Sequence, residues 1–446
     1  MNRSILFLIL INLFSPLTAQ TSGYSVSGGS GLPLLAENKS GLEVYLLNGL
    51  SDARITFTST NQGTHQWYRY RESGYNAVPV PSIQNGNTSY ITDVQNGYGY
   101  FVGLPTEALP LYVWIFDYSL YIPHFFDLEV EEDDDDKCEY LIIKPDAEAE
   151  PLSYFLSTGS PGILERIYNL QYDTQVWMED INQFVPKEEN KKYNDIYEIL
   201  IPAPLADTHF TLSGDQFAEH FGLTQAIQTD LYKAIAVEAH GIAETSKQHA
   251  DNEIHQAGET LGGSAPIEYT FTAYANEPVA AFYIWKILQQ DSITKEMATI
   301  VRYPDKVLRY NFEKDGFYRV ELEVIGGNGQ PPCSDTPPPF DIIINNTVIR
   351  IPNAFSPGSS IGVNDELKIS FSSVMSFKAS VYNRQGNLLF QWNDPAKGWD
   401  GRVNGRFVPT GVYYVIVEYK DSLGKARSMS KAVNVLRSKN LRNETE

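Results

Sequence analysis

The chain has 446 residues, a formal net charge of −21 and a hydrophobic content of 42%, with 28 Tyr and 22 Phe against two Cys. That length accommodates three or four domains, and the Tyr-, Phe-, Thr- and Val-rich composition favours pleated sheet over helix. The acidity excludes a protein that grips nucleic-acid phosphates, and two cysteines exclude a disulfide framework or a Cys-rich zinc site.

Residues 1–20 read as a secretory signal peptide. Arg3 precedes the apolar core "SILFLILINLF", and "LTAQ" offers a small-residue cleavage site near Ala19 and Gln20. The apolar run is too short for a mature spanning helix, and no Cys follows it, which excludes a lipid anchor there. No later stretch approaches the length of a membrane helix, so the expectation is a protein that is not an integral helical membrane protein.

Residues 21–137 carry strand-like runs at short spacing: "GLEVYLL", "ARITFTS", "HQWYRYR", "TSYITDV", "GYGYFVGL" and "LYVWIFDYSLYI". Alternation in "ARITFTS" and "HQWYRYR" predicts a β-sandwich, with Trp67 in mid-strand as a core anchor or a ligand platform. The acidic run "EVEEDDDDKCEY" follows. Unbroken acids at Asp133–Asp136 lack the turn residues that space calcium ligands, so the run reads as a solvated linker or loop and marks a domain boundary.

Residues 138–264 are expected to form a β-rich domain with one short helix. "EYLIIK", "ILERIYNLQYDTQVWMEDI" and "DIYEILIPAPL" lead; "FTLSGDQFAEHFGL" predicts the helix, with Ser213 as its cap and Phe217 and Phe221 on one face. "YKAIAVEAHGIAE" alternates and reads as strand, and the polar "SKQHADNEIHQAGETLGGSAP" as a closing linker. Cys138 can pair with Cys333 only if the segments that carry them meet.

Residues 265–346 repeat the sandwich grammar in "IEYTFTAYA", "AAFYIWKIL", "TIVRYP", "VLRYNF" and "GFYRVELEVIGG". A long strand, a polar loop, a Cys and an apolar run close both the first and this third segment, and Trp285 stands on an early strand as Trp67 does. "GFYRVELEVIGG" followed by a Cys resembles the last long strands of polycystic-kidney-disease-like (PKD), immunoglobulin-like domains of bacterial surface proteins. The fold class expected is therefore all-β: tandem immunoglobulin-like or PKD-like β-sandwiches ending in one further sandwich.

Residues 347–446 form that last module. Nine Lys or Arg from Arg402 onward give it a more basic end than the acidic body. Its turns make sense locally: "NRQGN" joins two alternating strands with Gly386 free to take positive φ, and Asn404-Gly405 is a hairpin signal. In "GWDG", Trp399 can close a core while Asp400 bonds the tight turn; Pro409-Thr410-Gly411 leads into "VYYVIVEY".

In order, the motifs are Pro352-Asn353-Ala354-Phe355-Ser356-Pro357, Gly362-Val363-Asn364-Asp365, Tyr382-Asn383-Arg384-Gln385-Gly386, Gly398-Trp399-Asp400-Gly401, Asn404-Gly405 and Pro409-Thr410-Gly411-Val412-Tyr413-Tyr414. This succession resembles the gliding-motility-associated C-terminal domain, the type B sorting domain of the type IX secretion system of Bacteroidetes. The resemblance implies export through the periplasm, passage by the type IX outer-membrane machinery as partner, and a final place at the cell surface or in the medium. The family loop Asn-Gly-Asp-Gly-x-Asn-Asp reads here Gly358 to Asp365 without the first acid, which weakens a divalent-ion role. Asp291-Ser292-Ile293 and Asp421-Ser422-Leu423 resemble the short O-glycosylation signal of that phylum.

Chemistry is sparse. The chain has no G-x-S-x-G, H-E-x-x-H or P-loop, and the spacing of His249 and His255 in "HADNEIH" fits no zinc pattern. Acidic pairs such as Glu179-Asp180 are too common in so acidic a chain to nominate glycosidase carboxylates. The expectation is no enzyme, no cofactor and no metal: an exported, non-catalytic surface or secreted protein with adhesin-like or spacer modules. A carbohydrate- or polymer-binding protein is the alternative, with Trp67, Tyr68, Tyr70 and Trp177 as platforms for a surface polysaccharide or host polymer; a surface hydrolase is the third.

Overall fold

A computed structural model describes residues 23–60, 63–103, 111–132, 136–254, 261–359 and 362–436. The signal-peptide residues, Asp133–Asp135, His255 and the basic residues beyond Leu436 lie outside the described residues. Strands dominate, and the one α-helix among the described residues is Gln216–Phe221. Among them no helix is long and apolar enough to cross a membrane. The chain divides into two compact units: residues 1–173, 188–202 and 208–232, and residues 174–187, 203–207 and 233–446.

The first unit begins with a sandwich. One sheet runs Tyr24–Ser27, Arg54–Thr58, Thr88–Ile91, Ile83–Asn85; the other runs Leu34–Lys39, Leu42–Leu47, Tyr112–Asp117, Tyr98–Gly103, Gln66–Tyr70, Val78–Val80. Trp67, Val113 and Ile115 face the first sheet, whereas Val44, Tyr70, Trp114 and Phe116 pack on the opposite side against Leu152, Tyr154, Leu164 and Phe217. Burial on both faces explains why "EVYLL" and "VWIF" read as continuous apolar runs, and Leu42–Leu47 and Tyr112–Asp117 pair in parallel at the centre.

Next come the sheet His124–Glu131, Tyr140–Glu148, Ile199–Pro202 and the sheet Gln183–Tyr193, Tyr168–Met178, Thr211–Gly214, Gln225–Gln228. His124–Glu131 and Tyr140–Glu148 are antiparallel partners with Glu131 opposite Ile142. The domain boundary expected between residues 137 and 138 therefore falls between two strands that bond to each other.

The helix cap also differs from expectation. Ser213 lies inside the strand Thr211–Gly214, and Asp215 caps the helix, its Oδ1 accepting from Phe217 N at 3.1 Å and Ala218 N at 2.9 Å. The same carboxylate is buried against Arg166 Nη1 and accepts from the Tyr118 hydroxyl at 2.5 Å. Arg166 Nη2 donates to the carbonyls of Tyr121 at 2.8 Å and Glu150 at 2.6 Å. Burial and the Asp215 carboxylate push the Tyr118 phenol up. A buried charge survives only with such partners.

In the second unit, Ala239–Glu244, Ile267–Ala275 and Val307–Phe312 form one sheet. The facing sheet runs Leu261–Gly263, Phe340–Ile344, Gly316–Gly326, Ala280–Gln290, Met297–Tyr303. Tyr269, Phe271, Trp285, Phe312, Val320 and Leu322 fill the space between them. Residues 239–244 and 261–263 thus join this sandwich, and of the polar stretch expected as a linker Leu261–Gly263 is strand while Asn252, Glu253 and Ser264 are buried. Residues 233–238 form no strand despite their alternation. The buried Asn276 side chain takes up their backbone instead, donating to Ala236 O at 2.9 Å and accepting from Glu238 N at 2.9 Å.

The last sandwich carries the five-stranded sheet Ala354–Phe355, Ala426–Val435, Gly411–Lys420, Ser376–Tyr382, Leu388–Trp392. Short ladders oppose it: Val348–Arg350 with Ser370–Ser372, and Leu367–Lys368 with Gly398–Trp399. Phe355, Leu367, Phe377, Trp399, Tyr413, Val415 and Val433 close its core.

Candidate functional site

The C-terminal motifs converge on Trp399. Its indole is fully buried, donates from Nε1 to Arg402 O at 2.9 Å, and meets Phe355, Phe390 and Tyr413 at centroid distances of 5.6, 6.2 and 6.1 Å. Asp400 Oδ1 accepts from Arg402 N at 3.0 Å and fixes the turn. Gly401 has φ +75°, and a Cβ there would lie 2.9 Å from the Pro357 ring and 3.3 Å from Phe355. Phe355, Pro357, Gly398, Trp399 and Gly401 are thereby one packed corner built from two distant motifs.

The other motif residues are turn devices. Asn383 Oδ1 accepts from Gln385 N at 3.0 Å and Asn387 N at 2.9 Å, and Gly386 takes φ +82°, leaving Arg384 exposed at the tip. The Tyr413 hydroxyl donates to Pro409 O at 2.8 Å, tying the start of the strand at Gly411 to its own turn. Half-buried Pro352 and exposed Asn353 enter the sheet edge, where Asn353 O accepts from Asn434 N at 2.9 Å. In the loop after Pro357, Asp365 Oδ2 accepts from Gly362 N at 2.9 Å and Ser356 N donates to Asn364 O at 2.6 Å. The carboxylate that survives in this loop folds it by bonding an amide. Ser360 and Ile361 lie outside the described residues.

A strap from the preceding sandwich covers one edge of this module. Ile254 N donates to Phe371 O at 2.7 Å, and Phe371 N donates to Asn252 O at 3.1 Å. Asn252 Nδ2 reaches Ile369 O and Pro395 O, both at 2.7 Å. Glu253 is buried between Lys247 Nζ at 2.9 Å and His249 Nδ1 at 3.3 Å. Burial pushes its carboxyl up, but the Lys247 pair and hydrogen bonds from Ser264 and the Ala250 amide hold it below its ordinary value.

Three of the four aromatic platform candidates lie in the first unit and one in the second. Trp67 is fully buried and donates from Nε1 to Ser89 Oγ at 2.7 Å; Tyr70 is buried and donates to Phe155 O at 3.1 Å. Both residues are core because their strand is covered on its two faces. Tyr68, half-buried, stacks on Phe101 at 5.1 Å. Trp177 belongs to the second unit, where its ring stacks on His240 at 4.4 Å and 7° and meets Phe184 at 5.3 Å and Tyr274 at 5.4 Å. Trp177 therefore clamps residues 174–187 onto the sheet that carries His240 and Tyr274.

Beside that clamp lies an open groove of about 590 Å³. Gln175, Asn182, Phe184, Thr272, Tyr274, Glu277, Tyr283 and Lys306 are among the residues that line it. Gln175 Nε2 donates to Glu277 O at 3.0 Å, joining two of the lining segments. Lys306 Nζ pairs with the Glu277 carboxylate and stands 5.1 Å from the centre of the Tyr283 ring. The Glu277 contact raises the Lys306 ammonium pKa, and burial raises that of the Tyr283 phenol. No spacing in the sequence signals this set, because its members come from segments far apart in the chain.

Among the described residues no group of three His, Cys, Asp or Glu side chains could hold a metal ion, and no cysteine is free. His65 engages Ser89 Oγ at 2.7 Å and Ser59 Oγ at 3.0 Å inside the first sandwich. Of the two glycosylation-like triplets, Ser292 is exposed whereas Ser422 is buried against Asp315 and Thr347.

Comparison with known families gives two matches. Residues 349–432 match the CHU_C type IX secretion signal domain, and residues 129–229 match a fibronectin type III domain. No curated protein matches the chain.

Proposed function

We propose that this chain, whose last sandwich is a type IX secretion signal domain, is a non-catalytic, adhesin-like protein of the cell surface. Export by the type IX machinery follows from that domain, and the modular β-sandwich body is its cargo. The observation that carries the delivery role is the match of residues 349–432 to the type IX secretion signal domain, whose motif residues Phe355, Pro357 and Gly401 meet at the Trp399 corner.

The adhesin-like role draws its support from how the body uses its polar groups. His65, Arg166, Asp215 and Asn276 are buried in bonds that hold strands and helix ends, the work of a scaffold rather than of acid–base chemistry. A polymer-binding role for the body is favoured by the groove at Tyr274, which combines rings with amide and charged groups.

Binding and turnover, measured together, test this reading. The purified chain is incubated with insoluble polysaccharides and with intact cells, and both retained protein and released reducing ends are followed. Retention without released product is expected. Product release above a heat-killed control overturns the non-catalytic reading.

A further inference from the structure

We infer that the groove between Phe184 and Lys306 binds a neutral oligosaccharide chain. The inference rests on reading the body as a non-catalytic binding module.

A sugar ring presents C–H faces that pack on aromatic rings and hydroxyls that each donate and accept. The groove offers both kinds of partner. Phe184 and Tyr274 supply partly exposed rings, while Tyr283 is buried with Lys306 Nζ over its face. Asn182 and Gln175 supply amides, which donate and accept as hydroxyls do, and the Glu277–Lys306 pair adds an acceptor and a donor side by side.

Charge decides the ligand class. Glu277 and Lys306 compensate each other, so the groove presents no uncompensated charge for an ionic ligand, and the net charge of −21 opposes a polyanion. The volume of about 590 Å³ suits several sugar rings, and the open side lets a longer chain run on beyond the site. The Gln175–Glu277 hydrogen bond and the Trp177–His240 stack hold the lining segments together before any ligand arrives.

The test titrates the full exported chain with cellohexaose, xylohexaose, laminarihexaose and mannohexaose by calorimetry, at low and high NaCl. At least one hexasaccharide is expected to bind, with an affinity indifferent to salt. Tyr274→Ala should weaken it by about tenfold. Asn182 sits in the left-handed region at φ +52°, so Asn182→Gly removes only the side chain and keeps the turn; it should weaken binding by roughly threefold. Tyr68→Ala, on the first unit, should leave the affinity unchanged, and thermal unfolding of each variant checks that it is folded.

Failure of all four hexasaccharides to bind the wild-type chain overturns the inference. So does binding that Tyr274→Ala and Asn182→Gly both leave unchanged, in which case the binding-module reading stands and the groove does not. Cleavage of a bound hexasaccharide, with affinity still lost in the variants, supports the groove and overturns the non-catalytic reading.

Discussion

The C-terminal sandwich and the groove at Tyr274 are built from sequence in opposite ways. In the sandwich, three of the motifs are local turns whose residues bond one another: Asn383 to Gln385 and Asn387, Asp400 to Arg402, Tyr413 to Pro409. In the groove, Gln175, Tyr274 and Lys306 are far apart in the chain and meet only because a hairpin tip lies on a sheet. The turn motifs of the signal domain are therefore written in short stretches, whereas the lining of the groove comes together only on folding.

That contrast can be broken from the body first. Asp215→Ala removes the partner of buried Arg166, orphans the Tyr118 hydroxyl and uncaps the helix, so it should cost about 3–5 kcal/mol. Chemical denaturation of the full chain measures this; a loss under about 1 kcal/mol would mean that the carboxylate is dispensable.

The turn motifs separate next. Gly401→Ala puts a Cβ 2.9 Å from the Pro357 ring at φ +75°, and about 1–3 kcal/mol is expected. Gly386→Ala carries a similar φ of +82° but meets nothing within 4 Å, so only the backbone cost of about 1 kcal/mol remains. Equal losses in the two unfolding experiments would remove the packing role assigned to Gly401.

The strap gives the smallest effect and a sign. The Glu253 carboxyl lies below its ordinary value of 4.5 in the folded chain, so its contribution is present above that pH and disappears as the pH falls through the folded value. Glu253→Gln should melt about 2–4 °C lower than wild type at pH 7 and converge with it as the pH falls through the lowered folded value. A difference that persists into acid would assign the effect to packing instead.

Much of the fold was legible because alternation and turn chemistry are local. The strands around Trp67, Trp285 and Trp399 and the all-β class followed from them. What escaped were residues whose partners lie far away in sequence. Asn276 replaces a strand partner for residues 233–238, Asp215 displaces Ser213 as cap because Arg166 and Tyr118 bury it, and Asn252 turns a polar stretch into a strap. Trp67 is the core anchor that alternation allowed it to be, whereas Tyr70, a platform candidate, is buried because no local signal tells that both faces of that sheet are covered. Of the groove, the sequence offered Trp177 alone, and the structure gives it the role of clamp.

Localisation tests the central claim most directly. Wild type, a chain ending before residue 349 and Trp399→Ala are expressed in the native host and exposed to external protease on intact cells, with fractionation of what is protected. Delivery by the C-terminal sandwich predicts that wild type is protease-accessible at the surface while both altered chains are retained inside the outer membrane. Surface exposure of the shortened chain at the wild-type level would contradict it.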